Sequence, residues 1–392
     1  MSLLPVAEAQ ARLFALATLL PAEQTPLVAC TGRWLAQSII ALRDQPWAAL
    51  SAMDGYAVRA AEEPGPWRIT ATSSAGGPPP ASLGPGEACR IFTGAPLPPG
   101  ADAILIQENA AVEADLLRAI DGTLATGRHV RPAASDFGNG APLLEAGARL
   151  GPAQIALAAL GGHGQLPVRR RPCIALISTG DELVPAGAPT PPGRLPSSNA
   201  PMLAALLAAL PCDVMDLGIV PDDLDAMVAA LARAKQADII VSTGGASVGD
   251  HDLVRPAFAQ AGGTLDFWKI AMRPGKPLMA GRLDSALFLG LPGNPVSAFV
   301  TATLFLLPLV RHLSGAHDPL PPTLEARLAS PLPQTAERDD YLRARQGKDG
   351  IVTVTSQDSA ATAALAMADC LIHRPAGSPT AAQGESVTII PL

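Results

Sequence analysis

Three uncharged apolar runs, at 174–178, 239–242 and 287–291, each lead at once into a polar turn that carries Gly or Pro. The turns read Thr179-Gly180-Asp181-Glu182, Thr243-Gly244-Gly245-Ala246-Ser247 and Pro292-Gly293-Asn294-Pro295. Apolar runs without alternation suit strands covered on both faces, as in a parallel sheet. Turns of one design at their ends place a site along the carboxyl edge of an open α/β sheet. Between the runs, Met202, Leu203, Leu206, Leu207 and Leu210 share one helical face, and so do Leu224, Met227, Val228 and Leu231. Asp222 or Asp223 stands where the second helix needs its N-cap.

Outside this block the pattern changes. A helix is expected at about 5–20 and a shorter one around 30–41. Residues 44–140 show β-prone runs at 67–72, 88–92 and 103–107, parted by turns such as Gly76-Gly77-Pro78-Pro79-Pro80, which suits a small all-β module. Another helix is read at 151–160, and Arg169-Arg170-Arg171-Pro172 reads as a basic connector. After Pro319-Leu320-Pro321-Pro322 the helical signal stops, and alternating runs at 351–355 and 386–390 predict a terminal β-unit. The 392 residues exceed one ordinary core, and about 150 residues per domain gives two to four.

Composition narrows the function classes. With 48% hydrophobic and 16% charged residues the chain reads as soluble and well buried. A net charge of −7 argues against nucleic-acid binding, which needs a dense basic face. Five scattered cysteines without a C-x-x-C support neither a disulfide framework nor a zinc site, and fit a reducing cytoplasm. Glu8 and Arg12 interrupt the first apolar segment, so a helix is expected there and not a signal peptide. Residues 286–310 carry no charge across about a bilayer's length. The Pro-Gly-Asn-Pro elbow should break that stretch and leave too short a helix for a membrane span.

The chemistry gathers at the strand ends. Ser242-Thr243-Gly244-Gly245-Ala246-Ser247-Val248-Gly249 offers free N–H groups and small residues that suit a phosphate or another oxyanion, or else form a tight turn. It is neither the Rossmann fingerprint nor a Walker A loop. Asp181, Glu182, Asp222, Asp223, Asp250 and Asp252 fall at the same ends. Carboxylates beside a phosphate site commonly hold Mg²⁺, although a capping role competes for Asp222 and Asp223. Lys269, Arg273 and Lys276 lie within one stretch stiffened by Pro-Gly and suit a pair of phosphates or a tetrahedral oxyanion, or simply solvent. No Ser-His or Cys-His arrangement is evident. In the β-module, Asp54-Gly55 and Thr93-Gly94-Ala95-Pro96 are ordinary turn chemistry when taken alone.

Taken together, the stretches 51–58, 90–96 with 100–103, 178–183, 242–249, 273–277 and 290–297 resemble the molybdopterin molybdenumtransferase family, which includes the C-terminal domain of gephyrin. They span most of the chain in the family's order. The resemblance implies a multidomain α/β plus β fold. A three-layer α/β domain of molybdopterin-binding type with a mainly parallel sheet (1–16 plus 168–318) would join a small linking domain (17–43 plus 141–167), an inserted β-module (44–140) and a C-terminal β-barrel-like domain (319–392). It implies a cytoplasmic homodimer whose cleft lies between the α/β domain and the β-module of the second copy. Contact with other molybdenum-cofactor enzymes would be possible, with no nucleic acid and no membrane as partner. The implied reaction takes adenylylated molybdopterin and molybdate, cleaves the phosphoanhydride with Mg²⁺, releases AMP and leaves molybdenum on the dithiolene.

By motif, the resemblance makes Glu182, Asp222 and Asp252 the candidate Mg²⁺ or molybdate-site carboxylates. Lys269, Arg273 and Lys276 become oxyanion binders, and Asp54 and Thr93 reach across the dimer. Thr179, Gly180, Asp181, Gly244, Gly245, Ser247, Gly249, Pro292, Gly293, Asn294, Pro295 and Ser359 shape the substrate pocket. Three departures stand out: Arg273 where many members have Lys, Ala134 where Gly is expected, and residues 360–368 after Ser359, which lack the Ser/Gly character expected. The rival readings are adenylyl transfer to molybdopterin, which would need only 173–314 and would consume ATP, and a gephyrin-like scaffold without catalysis.

Overall fold

The computed structural model describes residues 3–122, 124–245 and 253–392. Ser247, Gly249, Asp250, His251 and Asp252 therefore lie outside the described residues.

The three apolar runs are neighbours in one six-stranded sheet. Its strands are β1 (Cys173–Thr179), β2 (Asp213–Val220), β3 (Ile239–Thr243), β4 (Thr264–Trp268), β5 (Met279–Leu283) and β6 (Ala286–Leu291), in the order β2-β1-β3-β6-β5-β4. β1 pairs parallel with β2 and β3, and β3 with β6, whereas β5 runs antiparallel to β6 and β4. The register sets Ile174 beside Ile239 and Ile239 beside Leu287, so the three carboxyl ends finish level. β2 and β3 flank β1 on opposite sides, and such a switch point opens a crevice at the carboxyl edge.

Both faces are covered, which explains the lack of alternation. Ile174, Leu176, Val241 and Leu289 join one core cluster with buried residues of α1 (Val6–Leu16), α2 (Asn199–Leu207) and α5 (Pro295–Leu313). Ala175, Ile177, Ile240 and Phe288 pack in a second cluster with α3 (Leu224–Ala234) and α4 (Val254–Gln260), where the Phe258 and Phe288 rings lie 4.3 Å apart. Each fully buried Leu, Ile or Phe here contributes about 1.5–3 kcal/mol of transfer free energy.

α5 corrects one expectation. Pro295 does not cut the helix short but occupies its first turn, where a missing N–H costs nothing. The helix continues through a π segment, Ala302–Leu306, just before Pro308, which has no N–H to give the ladder. It is long and apolar enough for a span, yet 78% of its most apolar window is buried against the sheet and its neighbours. Its hydrophobicity is that of a core element.

Before the sheet, Ala22–Pro26 pairs antiparallel with Gln165–Arg169, beside the helix Pro152–Leu160. The helix expected around 30–41 is absent. Leu27–Ala29 makes a 3₁₀ turn, Gly32 takes φ +77°, and Ile39–Ile40 pairs with Pro142–Leu144. The backbone there bonds to distant chain (Leu35 N to Ala148 O, 3.0 Å) and not to its own next turn. α1 also ends earlier than expected, at Leu16. The basic connector is clamped by ion pairs, Arg170 to Asp238 at 2.7 Å and Arg171 to Asp213 at 3.0 Å.

The β-module forms a six-stranded sheet in the order Ala103–Ile106, Gly55–Val58, Glu87–Ile91, Trp67–Ser73, Leu116–Ala119, Ala110–Glu113. The terminal unit runs Met272–Arg273, Asp339–Gly347, Cys370–Arg374, Ser386–Pro391, Leu324–Arg327, with Gly350–Thr353 on the second of these. Its first strand is lent by the loop between β4 and β5, which ties the two units together. All five thiols are free, four of them buried. The fifth, Cys173, opens β1 at the amino edge.

Candidate active site at the carboxyl edge

Beyond β1 the chain turns at Gly180, whose φ of +145° favours glycine. An added Cβ there would stand 2.5 Å from the Glu182 carboxylate, which lies folded over the turn. Beyond β2, the Asp222 carboxylate accepts from the Thr179 hydroxyl (3.1 Å) and the Asp181 N–H (3.3 Å), while Asp181 accepts from the Asp222 N–H (3.1 Å). The N-cap question is settled: Asp223 accepts from the Ala226 N–H at 2.8 Å, so Asp222 is left to the turn. After β3, Gly244 takes φ +92°, and an added Cβ would overlap the Thr179 carbonyl oxygen. Gly293, after β6, faces the Gly244 backbone with room for contact only. The structure thus brings Thr179, Gly180, Asp181, Glu182, Asp222, Gly244 and Gly293 together, with Gly245 continuing the third turn.

The Pro292-Gly293-Asn294-Pro295 loop is held from two sides. Asn199, opening α2, donates to the Gly293 carbonyl at 2.7 Å. Asn294 donates to the Ser359 hydroxyl at 3.0 Å, and the Ser359 carbonyl accepts the Val296 N–H at 3.2 Å. Asn294 occupies the N-cap position of α5 without capping it; the terminal unit supplies the acceptor instead.

The cations are farther along the same edge. β4 runs parallel to β6, so Lys269 directly after β4 and Lys276 shortly before β5 flank a loop on this side, closed by Ile270 N to Lys276 O at 2.9 Å. With about 4.8 Å per strand, Lys269 lies roughly 19 Å across the sheet from the β1 turn. Its ammonium sits 4.0 Å from the Trp268 ring centroid. Arg273 is directed elsewhere, donating to the buried Asp340 of the terminal sheet at 2.5 Å.

Asp54 and Thr93 meet within the β-module, where one Asp54 oxygen accepts from both the Thr93 N–H (2.7 Å) and its hydroxyl (2.8 Å). These bonds hold the carboxyl below its ordinary value, helped by the charge of Arg90. Arg90 opens one of the matched stretches but has no role assigned from sequence. Its guanidinium lies 4.9 Å from the Tyr56 ring and 5.0 Å from Phe92, and it donates to Gly55 O (3.1 Å) and Gln107 (2.8 Å). Phe92 two residues on was a visible hint, but Tyr56 is a cross-strand neighbour that numbering hides.

Two cavities adjoin the edge. One of about 550 Å³ lies between β1, β2 and α2, and one of about 300 Å³ between α2, α5 and the terminal unit. Neither is lined by Glu182, Asp222, Lys269 or Lys276. Among the described residues no group of three His, Cys, Asp or Glu stands close enough to hold a metal on its own.

Family profiles cover nearly the whole chain: a MoeA N-terminal region (domain I and II) matches residues 4–162, a probable molybdopterin binding domain 175–312, and a MoeA C-terminal region (domain IV) 325–392. Proteins named molybdopterin molybdenumtransferase are similar: that of Haemophilus influenzae is 34% identical over 94% of this chain and 93% of its own. That of Nostoc sp. is 37% identical over 82% and 76%, and that of Bacillus subtilis 32% over 91% and 87%. The crystal structure of a molybdopterin biosynthesis MoeA protein from Pyrococcus horikosii superposes with a TM-score of 0.85 at 28% identity, covering 100% of this chain and 99% of that one. Sequence, domain content and fold agree along the full length, and the chain belongs to the molybdopterin molybdenumtransferase family.

Proposed function

We propose that this protein inserts molybdenum from molybdate into adenylylated molybdopterin, with Mg²⁺-dependent release of AMP. The observation that carries the reading is the braced acidic turn, Asp222 held by Thr179 and Asp181 beside the glycine-lined ends of β1, β3 and β6. Hard carboxylate oxygens suit Mg²⁺, which keeps most of its waters and needs only one or two protein ligands beside substrate phosphates. Among the described residues Glu182 and Asp222 would supply such oxygens, with Asp252 as the third candidate that the resemblance implies. When bound, Mg²⁺ would neutralise charge on the phosphates.

The chain's own residues hold and orient. Asp222 is fixed before substrate arrives, so little reorganisation is left for the reaction. Lys269 and Lys276 would offer ammonium groups to molybdate or phosphate oxygens farther along the edge. Arg273 acts mainly through Asp340, as a strut. Asp54 and Thr93, bonded to each other within the β-module, would serve the site of a second copy in a homodimer, as the family resemblance implies. The four-domain division given above and a cytoplasmic location belong to the same reading.

The test incubates full-length protein with adenylylated molybdopterin, molybdate and Mg²⁺, following AMP and molybdenum-loaded cofactor. Asp222→Ala should lower the rate by at least about a hundredfold, the scale of losing a preorganised charged contact. Equal turnover by wild type and Asp222→Ala removes the reading, and ATP consumption in its place would point to adenylyl transfer.

A further inference from the structure

The last residue of β4 is a tryptophan with charge gathered on it. In a continuing strand Trp268 and Lys269 would leave opposite faces. Lys269 instead takes φ +72°, a left-handed conformation that a long side chain seldom adopts. Its backbone is tied on both sides: the N–H donates to the Leu278 carbonyl at 3.1 Å, and the carbonyl accepts from the Leu4 N–H at 3.3 Å. The alternation is broken, and the Lys269 ammonium lies 4.0 Å from the centroid of its neighbour's ring. Backbone held against its preference in this way collects where a side chain has to be aimed.

A second cation reaches the same ring. Arg255 is in the first turn of α4, where the helix dipole favours an acidic side chain and not a basic one. α4 follows β3, so that turn stands at the carboxyl edge. Arg255 is exposed, and its guanidinium carbon lies 5.1 Å from the Trp268 centroid. The two distances together put the cationic groups no more than about 9 Å apart, both in reach of one aromatic face system. Among the described residues neither makes an ion pair. Arg12, Arg68 and Arg171, on other surfaces, each have an aspartate. A ring attracts a cation more weakly than a carboxylate does and leaves its charge intact. Like charges this close repel, and an anion shared between them removes that cost. Trp268 is itself half-buried against the core of Phe258 and Phe288, which makes the ring a fixed platform.

We propose that Arg255 belongs to the oxyanion-binding set at this edge, and that Trp268 is the positioning residue that presents Arg255 and Lys269 as a pair to one tetrahedral oxyanion. The inference rests on the reading above, in which Lys269 serves an oxyanion, and adds to it one binding residue and the platform beneath. A planar guanidinium offers two parallel donors to two oxygens, and the ammonium is a point charge for a third. That set suits an anion with three or more oxygens, the chemistry common to molybdate and a nucleotide phosphate.

The experiment titrates full-length protein by calorimetry with molybdate alone and, separately, with AMP alone. Arg255→Gln should weaken one of the two anions by about tenfold or more, the scale of losing a charge-assisted contact, while Tm holds because the side chain is exposed. The anion that weakens identifies the source of the oxyanion. Trp268→Leu should weaken the same anion, and Trp268→Phe should restore most of it, since Phe keeps a ring face and Leu does not. Combined with Arg255→Gln, Trp268→Leu should cost less than the sum of the two, because the ring acts through the cation. A tryptophan that only packs would lower Tm and give additive losses. Should Trp268→Leu fail to fold, Arg255→Gln and Trp268→Phe still decide. Wild-type affinity for both anions in Arg255→Gln overturns the proposal, as does a wild-type protein that takes up neither. Should one anion bind with this variant pattern while the molybdenum assay stays silent, the activity reading fails and the cation pair stands. Should the assay succeed with Arg255→Gln unimpaired toward both anions, only the cation pair falls.

Discussion

Ala134 carries a local backbone cost. It takes φ +55°, and its N–H still closes a bond to Pro46 O at 2.9 Å, so the turn forms without the glycine that suits it. An L-residue in that region costs about 1–2 kcal/mol, partly offset by the added freedom of glycine when unfolded. Ala134→Gly should therefore raise stability by up to about 1 kcal/mol, read as a shift in denaturant midpoint at constant slope. Asp54 supports a second expectation. Its carboxyl titrates below its ordinary 3.8 because Thr93 donates twice, so it stays charged on acidification until well into the carboxylate range. Thr93→Val keeps the backbone donor and removes the hydroxyl, and the Asp54 titration followed by NMR should move up toward 3.8. Asp54 and Thr93 became candidates only through the family resemblance; taken alone they read mainly as ordinary turn chemistry. The stacking of Arg90 was not legible because its partner Tyr56 is set by strand pairing.

At the scale of elements, legibility followed burial. β1, β3 and β6 were readable because both faces are covered and every position had to be apolar. Segment 30–41 was not, because its partners lie more than a hundred residues away and local periodicity carries no record of them. The start of α5 shows a further kind of dependence. Its own cap residue turns outward to Ser359, and the Ser359 carbonyl takes the free N–H. A double-mutant cycle on Asn294→Ala and Ser359→Ala should give a coupling near 0.5 kcal/mol, small because the pair is exposed, while the backbone contact survives in both variants. A coupling indistinguishable from zero would mean the side chains do not join the two units in solution.

For the whole molecule, the unit-to-unit struts are unequal. Asp340 is buried and Arg273 largely open to water, so the two halves of their ion pair differ in what they leave behind. Arg273→Ala strands a buried carboxylate and should cost about 2 kcal/mol or more, whereas Asp340→Asn releases Arg273 into solvent at smaller cost. Thermal unfolding of the two variants should rank them in that order. A second seam, α1 against α5, is pH-sensitive. His312 stacks on Phe14 at 4.8 Å, and burial pushes its imidazole below the ordinary 6.5. The unfolded chain then takes up protons first, so stability is lost as pH falls from 6.5 through the folded value. Tm should decline across that window, and His312→Gln should flatten part of the decline. None of these seams was legible in the linear chain, because each joins residues whose nearness only the assembled sheets create.

The placement of sulfur has a consequence for cargo handling. Burial raises the pKa of every thiol, that of Cys212 to about 11 and that of Cys370 to about 12. The one thiol that is not buried opens β1 at the edge opposite the acidic turn. On the proposed reaction, an ene-dithiolate held at the carboxyl edge would have no exposed thiol among the described residues beside it to be joined to in a mixed disulfide, even when an oxidant supplies the two-electron step. Under that proposal the described cysteines would leave a sulfur-bearing guest unaltered.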